Sequence, residues 1–573
     1  MTPGPGSGFT LTVLGTTDLH ANVFNWDYYA DREYDDPAHD DVGLAKIATL
    51  VRELRRTAPH ALLIDAGDTI QGTPLGHYYA AVEPALPHPM AVAMNAIGYT
   101  AAAVGNHEFN YGIPHLRAFE RQLDFPLLAA NALTTTGAPA FLPHTTVSVH
   151  TGSTPLRVGI LGLTNPGVAV WDKTRVDGHL TFPGVVEQAR IDVPALARQS
   201  DLVIVAAHSG AGLSSSLGDL LPFPENCAAL LAEEVAGIDA VLVGHAHVEI
   251  PQRHVVNRAT GRKVLLTEPL YWGKRLSVME FDLADTPDGW QLTESRAHVR
   301  HTNTVPEDPA ITALLRTAHD RVVTYTNSRI GTCRTAMSVH SARYQRNNAL
   351  DFVNHVQATT LALSLSLPAA APFPTTAPLP TTHPLPVLSI TCPFTRNATI
   401  PAGDVSIRDV AALYPFENTL VGVELTGSQL KDYLERSATY FRPQTTPGPH
   451  HPDDLTNADD TPDSLYDVAA GHTAPLTYDI DLARPAGDRV TNLHHAHAPI
   501  RPEDRFAVAV NSYRQSGGGN FPHVPTAPVL HSRHQEIRRL LIDWVGAAGG
   551  LDPAAFGTSG WRLVVDGTPV VIR

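Results

Sequence analysis

The sequence predicts a layered α/β half followed by an α+β half, joined by a helix. Three observations carry that prediction. Through the first half, apolar runs alternate with helix-like segments, and each run ends in a polar cluster. Residues 307–331, "EDPAITALLRTAHDRVVTYTNSRIG", have helical character. Beyond them the pattern changes to strand-like runs broken by Pro-rich and polar loops. A chain of 573 residues exceeds one ordinary core, so two or three domains are expected. The expected division is 1–306, a connecting region 307–338, and 339–573.

Leu11–Gly15 reads as a buried strand, followed by Asp18 and His20 in "TTDLH". In an extended segment residues two apart point the same way. The pair can therefore aim an oxygen and an imidazole nitrogen at one point, as a metal site requires. Alone, D-x-H is more often a hydrogen-bonded loop pair. "VGLAKIATLVRELRRT" has helical spacing with its charges on one side. The later strands "ALLIDAGDT", "AAAVGNHEF", "RVGILGLTN", "DLVIVAAHSG" and "DAVLVGHAH" are continuous apolar runs, the pattern of strands buried on both faces. Their polar residues gather at the C-terminal ends, where open α/β sheets place ligands. "LSVMEFDLAD" closes the half as a further strand.

In the second half, "TGSQLKDYLERSATYF" is helical, and "LVGVELTG", "LTYDIDLA" and "RFAVAVNSY" are strand-like. A Pro/Thr-rich stretch at 366–386 is expected to be a mobile surface insertion, and 442–463 a polar loop. No internal repeat is apparent.

The net charge of −16 argues against binding a nucleic-acid polymer through its backbone. A small phosphorylated substrate remains compatible if metal ions supply positive charge locally. The 3 cysteines, Cys227, Cys333 and Cys392, are too few and too scattered for a disulfide framework or a thiolate metal site, and free thiols are expected. With 29 histidines, one histidine carries little information. No segment reaches the roughly 18 apolar residues of a membrane helix. The start, "MTPGPGSGFT", lacks a basic end and an apolar run, so a cytoplasmic location is expected, with a trimmed or misplaced start as the alternative; separately, a monomer is expected.

The strand ends deliver one coherent set: Asp18 and His20, Asp68, Asn106 and His107, His208, then His245 and His247. Oxygen and imidazole ligands without thiolate suit Zn, Mn, Fe or Co. Asp68, in the middle of the set, can bridge two divalent ions about 3.5–4 Å apart, which lower the pKa of a water held between them. "LHHAHAP", with His495 and His497, lacks the preceding strand and glycine and is assigned to a surface loop.

The series D-x-H, G-D-x-x-x-G, G-N-H-E, H-S and G-H-x-H, in that order, resembles the calcineurin-like metallophosphoesterases. Within them it is similar to the two-domain group of 5′-nucleotidases and 2′,3′-cyclic-nucleotide 2′-phosphodiesterases. The resemblance implies an N-terminal four-layer sandwich and a C-terminal nucleoside-binding domain. It implies one metal on Asp18, His20, Asp68 and His247, and a second on Asp68, Asn106, His208 and His245. It makes His107 the transition-state and leaving-group residue, oriented by Asn110 where many 5′-nucleotidases of the group have Asp. The N-Y-G form at Asn110, together with "TTDLHANVFNWDYY" and "WDK", resembles the 2′,3′-cyclic-nucleotide 2′-phosphodiesterase/3′-nucleotidases. "YPFENTL" and "NSYRQSGGGNF" resemble base-stacking segments and place Phe416, Asn418 and Tyr513 on a nucleoside base. Arg346 and Arg396 fall near, without matching, the family's phosphate-binding arginines. The implied activity is therefore opening of 2′,3′-cyclic nucleotides with 3′-phosphate removal. A 5′-nucleotidase or a phosphatase of a nucleotide-like metabolite is the alternative, and a binding protein without turnover the alternative of another class.

Overall fold

Strand Gly8–Thr16 pairs in parallel with Leu62–Asp65, in a register that brings Thr16 opposite Asp65. Leu62–Asp65 pairs in turn with Ala101–Ala103. The three strands thus end level with one another, and the loops bearing Asp18, Asp68 and Asn106 leave from one edge. The computed structural model describes residues 8–34, 41–151, 154–212, 221–366, 385–557 and 559–573.

The chain divides into two units at Val323/Thr324. In the first, one six-stranded sheet runs Gly289–His301, Arg275–Thr286, Gly8–Thr16, Leu62–Asp65, Ala101–Ala103, Leu127–Leu128. The other runs Glu249–Val256, Lys263–Pro269, Ala240–Val243, Leu202–Ala207, Leu156–Leu163, His144–Val149. The first is parallel from Gly8–Thr16 to its Leu127–Leu128 edge and antiparallel on the Arg275–Thr286 side, whereas the second is parallel at the centre and antiparallel at both margins. Leu11, Val13 and Ile64 of the first sheet meet Val158, Ile204 and Leu242 of the second in an apolar layer. Outside it, helix Leu44–Thr57 covers the first sheet, and Val185–Ala197 with Ala228–Glu234 cover the second. This is the expected four-layer α/β/β/α sandwich. Strands sealed on both faces explain the continuous apolar runs.

The expected helix over 307–331 is shorter, Pro309–Thr326. Arg329–Cys333 is instead a strand, drawn into antiparallel pairing with Gly403–Ser406, a partner invisible to local periodicity. In the second unit a five-stranded sheet runs Val468–Gly471, Val387–Thr391, Arg505–Asn511, Thr419–Thr426, Val529–Glu536, with the buried helix Asn348–Ser366 against it. A second five-stranded sheet centres on Leu476–Asp481. The expected loop at 442–463 contains the helical turn Pro452–Leu455. The "HHAH" segment is also more ordered than a surface loop. His495 ends strand Val490–His495 half-buried, its ring 5.6 Å from Phe506, while Ala496 and His497 in the turn beyond it are exposed. Most of the Pro/Thr-rich stretch lies outside the described residues. Among the described residues no helix is long and apolar enough to cross a membrane, and all three cysteines are buried free thiols.

Candidate metal centre

Every proposed ligand sits within a few residues of a strand's C-terminal end. Asp18 and His20 follow Gly8–Thr16, Asp68 follows Leu62–Asp65, and Asn106 and His107 follow Ala101–Ala103. From the second sheet, His208 follows Leu202–Ala207, and His245 and His247 follow Ala240–Val243. Backbone bonds knit the loops together: Asp18 N donates to Gly67 O and His20 N to Asp68 O, each at 2.8 Å.

The side chains converge in two groups, Asp18–His20–His247 and Asp68–His208–His245, each with ligand atoms within 4.8 Å of one another. Asp68 Oδ2 lies 3.0 Å from His208 Nε2 and 3.9 Å from His20 Nε2, so it reaches toward both groups. His208 Nε2 is also 3.1 Å from Asn106 Oδ1. The second ring nitrogens are tied back: His20 Nδ1 to Gln71 O at 2.9 Å and His208 Nδ1 to Ala66 O at 2.8 Å. His245 Nε2 meets Glu225 Oε1 at 2.5 Å. Each arrangement fixes a tautomer that turns the other nitrogen inward, as metal-bound histidines require. Asp18 Oδ2 accepts from Thr17 Oγ1 and His245 N, whereas Asp18 Oδ1 is buried with no hydrogen-bond partner, 3.2 Å from His247 Nε2. A buried carboxylate oxygen faced only by imidazole nitrogens is well placed to share a cation with them. The donor set therefore fits divalent metal. Burial works against charge on Asp68, but His208 and His107 hold its carboxyl well below the usual range; for Asp18, His247 and His208 outweigh burial and hold it at about 2.

Five of these residues have left-handed backbone: Asp18 (φ 51°), His20 (47°), Asp68 (60°), His245 (75°) and His247 (58°). Such strain persists only where surrounding bonds enforce it. Two buried acids that the sequence reading did not single out do so. Glu108 accepts the backbone N–H of Asp68, Thr69, Ile70 and Gly105. Glu268 accepts Val248 N at 3.1 Å, beside the G-H-A-H turn, and burial pushes its carboxyl up to about 8. Gly105 has no side chain for a reason: a Cβ there would overlap Asp68 Oδ1 and Asp68 N. Gly105→Ala is expected to lower metal affinity at least about 10-fold, the scale of a lost supporting contact, in equilibrium metal titrations.

His107 sits at the rim, its Nε2 4.0 Å from Asp68 Oδ2 and its Nδ1 2.6 Å from Asn110 Oδ1. Burial disfavours a charged ring, but Asp68, then the Asn110 bond and Asp172, hold His107 above the ordinary histidine value. Asn110 Nδ2 donates to Asp172 Oδ1 at 2.8 Å. Trp171 stacks on His245, centroids 5.5 Å apart, and Tyr271 on His247 at 4.7 Å.

In the second unit, the register Leu420↔Asn511 brings the segments bearing Phe416 and Asn418 to the same sheet end as Tyr513. Phe416 is 39% exposed, its ring 5.1 Å from Phe394, and Asn418 Nδ2 lies 3.5 Å from Tyr414 Oη. Tyr513 has one ring face closed by Gly518, where a Cβ would strike the ring. Arg346 pairs with Asp351 and Arg396 with Asp463.

Residues 11–249 match the family model for calcineurin-like phosphoesterase, and residues 322–526 that for the 5′-nucleotidase C-terminal domain. The chain is 30% identical to the trifunctional nucleotide phosphoesterase protein YfkN of Bacillus subtilis, over 97% of this chain but 39% of that much longer relative. It is also 30% identical to the 2′,3′-cyclic-nucleotide 2′-phosphodiesterase/3′-nucleotidase of Salmonella typhimurium, over 96% of this chain and 88% of that one. Among solved structures, the 5′-nucleotidase precursor of Thermus thermophilus shares the fold, with a TM-score of 0.62 at 22% identity, covering 96% and 99% of the two chains. With its loop-borne donor set and both matched domains, the chain belongs to the two-domain calcineurin-like phosphoesterases that carry a 5′-nucleotidase C-terminal domain.

Proposed function

We propose that the chain is a hydrolase of nucleotide phosphate esters that holds two divalent ions, opens 2′,3′-cyclic nucleotides and removes the resulting 3′-phosphate. The observation that carries this reading is the convergence of two ligand groups on Asp68, with His107 aimed at the same carboxylate. Bound ions would supply Lewis-acid charge for the phosphate oxygens and for the attacking water. Zn, Mn, Fe and Co all suit the donors. Asp18, His20 and His247 would hold one ion, and Asn106, His208 and His245 the other, with Asp68 available to both. His107, its Nδ1 committed to Asn110, has Nε2 free to give a proton to the leaving ribose oxygen. Phe416 and Tyr513 offer ring faces to the base, each stack contributing about 1–3 kcal/mol. Asn418 adds an amide for its edge.

Arg346 and Arg396 are each engaged by a carboxylate, which favours the cyclic and 3′ substrates over 5′-nucleotides. Release of phosphate and nucleoside from 2′,3′-cAMP, 3′-AMP and 5′-AMP, with Mn²⁺ or Zn²⁺ and with a chelator, tests this. Preference for the first two, lost with the chelator, is expected. Preference for 5′-AMP would overturn the substrate assignment while leaving the metal centre standing. Inactivity of metal-loaded protein on all three would overturn the nucleotidase reading itself.

A further inference from the structure

Asp172 touches neither ligand group, yet it ends a chain of hydrogen bonds that begins on His107. His107 Nδ1 is 2.6 Å from Asn110 Oδ1, and Asn110 Nδ2 is 2.8 Å from Asp172 Oδ1. The polarity of this chain follows from chemistry. Burial raises the Asp172 carboxyl to about 6, and above that pH it is ionised and only accepts, so Asn110 turns its NH₂ toward Asp172 and its oxygen toward the ring. An oxygen facing Nδ1 requires the proton there, which leaves Nε2 toward the centre. Asp172 is 8% exposed and lies where helical turns Val168–Trp171 and Lys173–Val176 meet. Its own backbone is held as well: its N donates to Val168 O at 3.0 Å, and its O accepts from Arg175 N at 2.7 Å. The preceding residue, Trp171, lies flat on His245 with an interplanar angle of 17°. One short turn thus braces a metal ligand and orders the chain behind the acid–base histidine.

We propose that Asp172 is a positioning residue that, through the Asn110 amide, locks His107 in the tautomer protonated at Nδ1. The inference rests on the hydrolase reading for its kinetic consequence. When the doubly protonated ring gives its Nε2 proton to the leaving ribose oxygen, as a water oxygen bonds to phosphorus and the O–P bond breaks, the neutral ring that remains carries its proton on Nδ1. That is the form this chain already accepts, so the amide need not turn over. A carboxylate directly at position 110 would impose the same polarity with one link fewer; here the acceptor-only group stands one amide further back.

The test exchanges the two groups. Asp172→Asn keeps the shape but lets both amides flip, which permits the wrong tautomer. It is expected to lower kcat about 10- to 100-fold, at most the low end of the roughly 10²–10⁴-fold that acid–base catalysis contributes. KM and metal content should stay within about twofold of wild type on this argument, since neither ligands nor base site are touched. Asn110→Asp in the Asp172→Asn background restores an acceptor-only group facing the ring, and kcat should recover most of the loss. A packing role predicts that the second change adds damage. Nitrogen-15 shifts of the His107 ring, assigned by their disappearance in His107→Gln, read the tautomer without turnover. They should report Nδ1–H in wild type and in the exchanged pair, and a mixture in Asp172→Asn. An unchanged ring in Asp172→Asn, or an exchanged pair no better than the single variant, overturns the proposal. A wild type inactive on every nucleotide but with the expected shifts would instead remove the hydrolase reading alone.

Discussion

Asp68→Ala is expected to abolish turnover, by at least about 10³-fold, because the ions it would hold supply several kcal/mol of transition-state stabilisation. No other ligand occupies its position. Its Oδ2 stands 3.0 Å from His208 Nε2, 3.9 Å from His20 Nε2 and 4.0 Å from His107 Nε2, while its Oδ1 accepts the His107 backbone N–H at 2.7 Å. Removing it takes away the one carboxylate that reaches toward both groups and frees the His107 backbone N–H at once. His247 offers the contrast: it belongs to one group, and its side chain is 39% exposed. His247→Ala is expected to cost far less, about 10- to 100-fold in metal affinity or rate. Metal analysis of the purified variants, beside kcat on 2′,3′-cAMP, separates the two. Full metal content in Asp68→Ala would remove its bridging role.

Glu108→Ala is expected to give the largest loss of stability, about 4 kcal/mol or more, from four buried backbone N–H groups each costing about 1–3 kcal/mol when left unpaired. The four donors come from Asp68, Thr69, Ile70 and Gly105, so one carboxylate holds two loops that approach from adjacent strands. It is 1% exposed, and water cannot easily take its place. Burial and the nearby Asp68 raise its pKa, while the Thr69 N–H bond opposes that shift. Glu108→Gln keeps one acceptor oxygen and should lose about half as much on the same arithmetic. Urea unfolding followed by a probe in the N-terminal unit measures both. A midpoint in Glu108→Ala equal to wild type would mean that the loops hold their shape by other means.

The candidate ligand set was legible in the sequence because each member follows an apolar run, and parallel strands put their C-terminal ends on one edge. His20, His208 and His245 needed no more than that rule. The supporting acids were not legible. Glu108 stands in the quoted "GNHEF", but its role depends on backbone N–H groups near residue 68, which no local pattern reveals. Asp172 stands in the quoted "WDK", yet its link to Asn110 spans 62 positions. Glu225 and Glu268 reach the centre only through the folding of the second sheet. The connecting helix was over-extended for the same reason: Arg329–Cys333 owes its extended form to residues 403–406. Short-range periodicity gave the layers; long-range hydrogen bonds set the finish of the site.

The left-handed backbone at Asp18, His20, Asp68, His245 and His247 bears on how this centre can evolve or be re-engineered. Asp, Asn and His are the non-glycine residues that most readily adopt that conformation, and β-branched side chains resist it. They are also oxygen and nitrogen donors. The scaffold therefore admits a small alphabet at these positions whatever ion is bound, and that alphabet already spells hard and borderline coordination. Conversion to a different metal specificity must come from permuting this alphabet or from the surrounding acids, because the loops themselves filter the substitutions before chemistry can select among them.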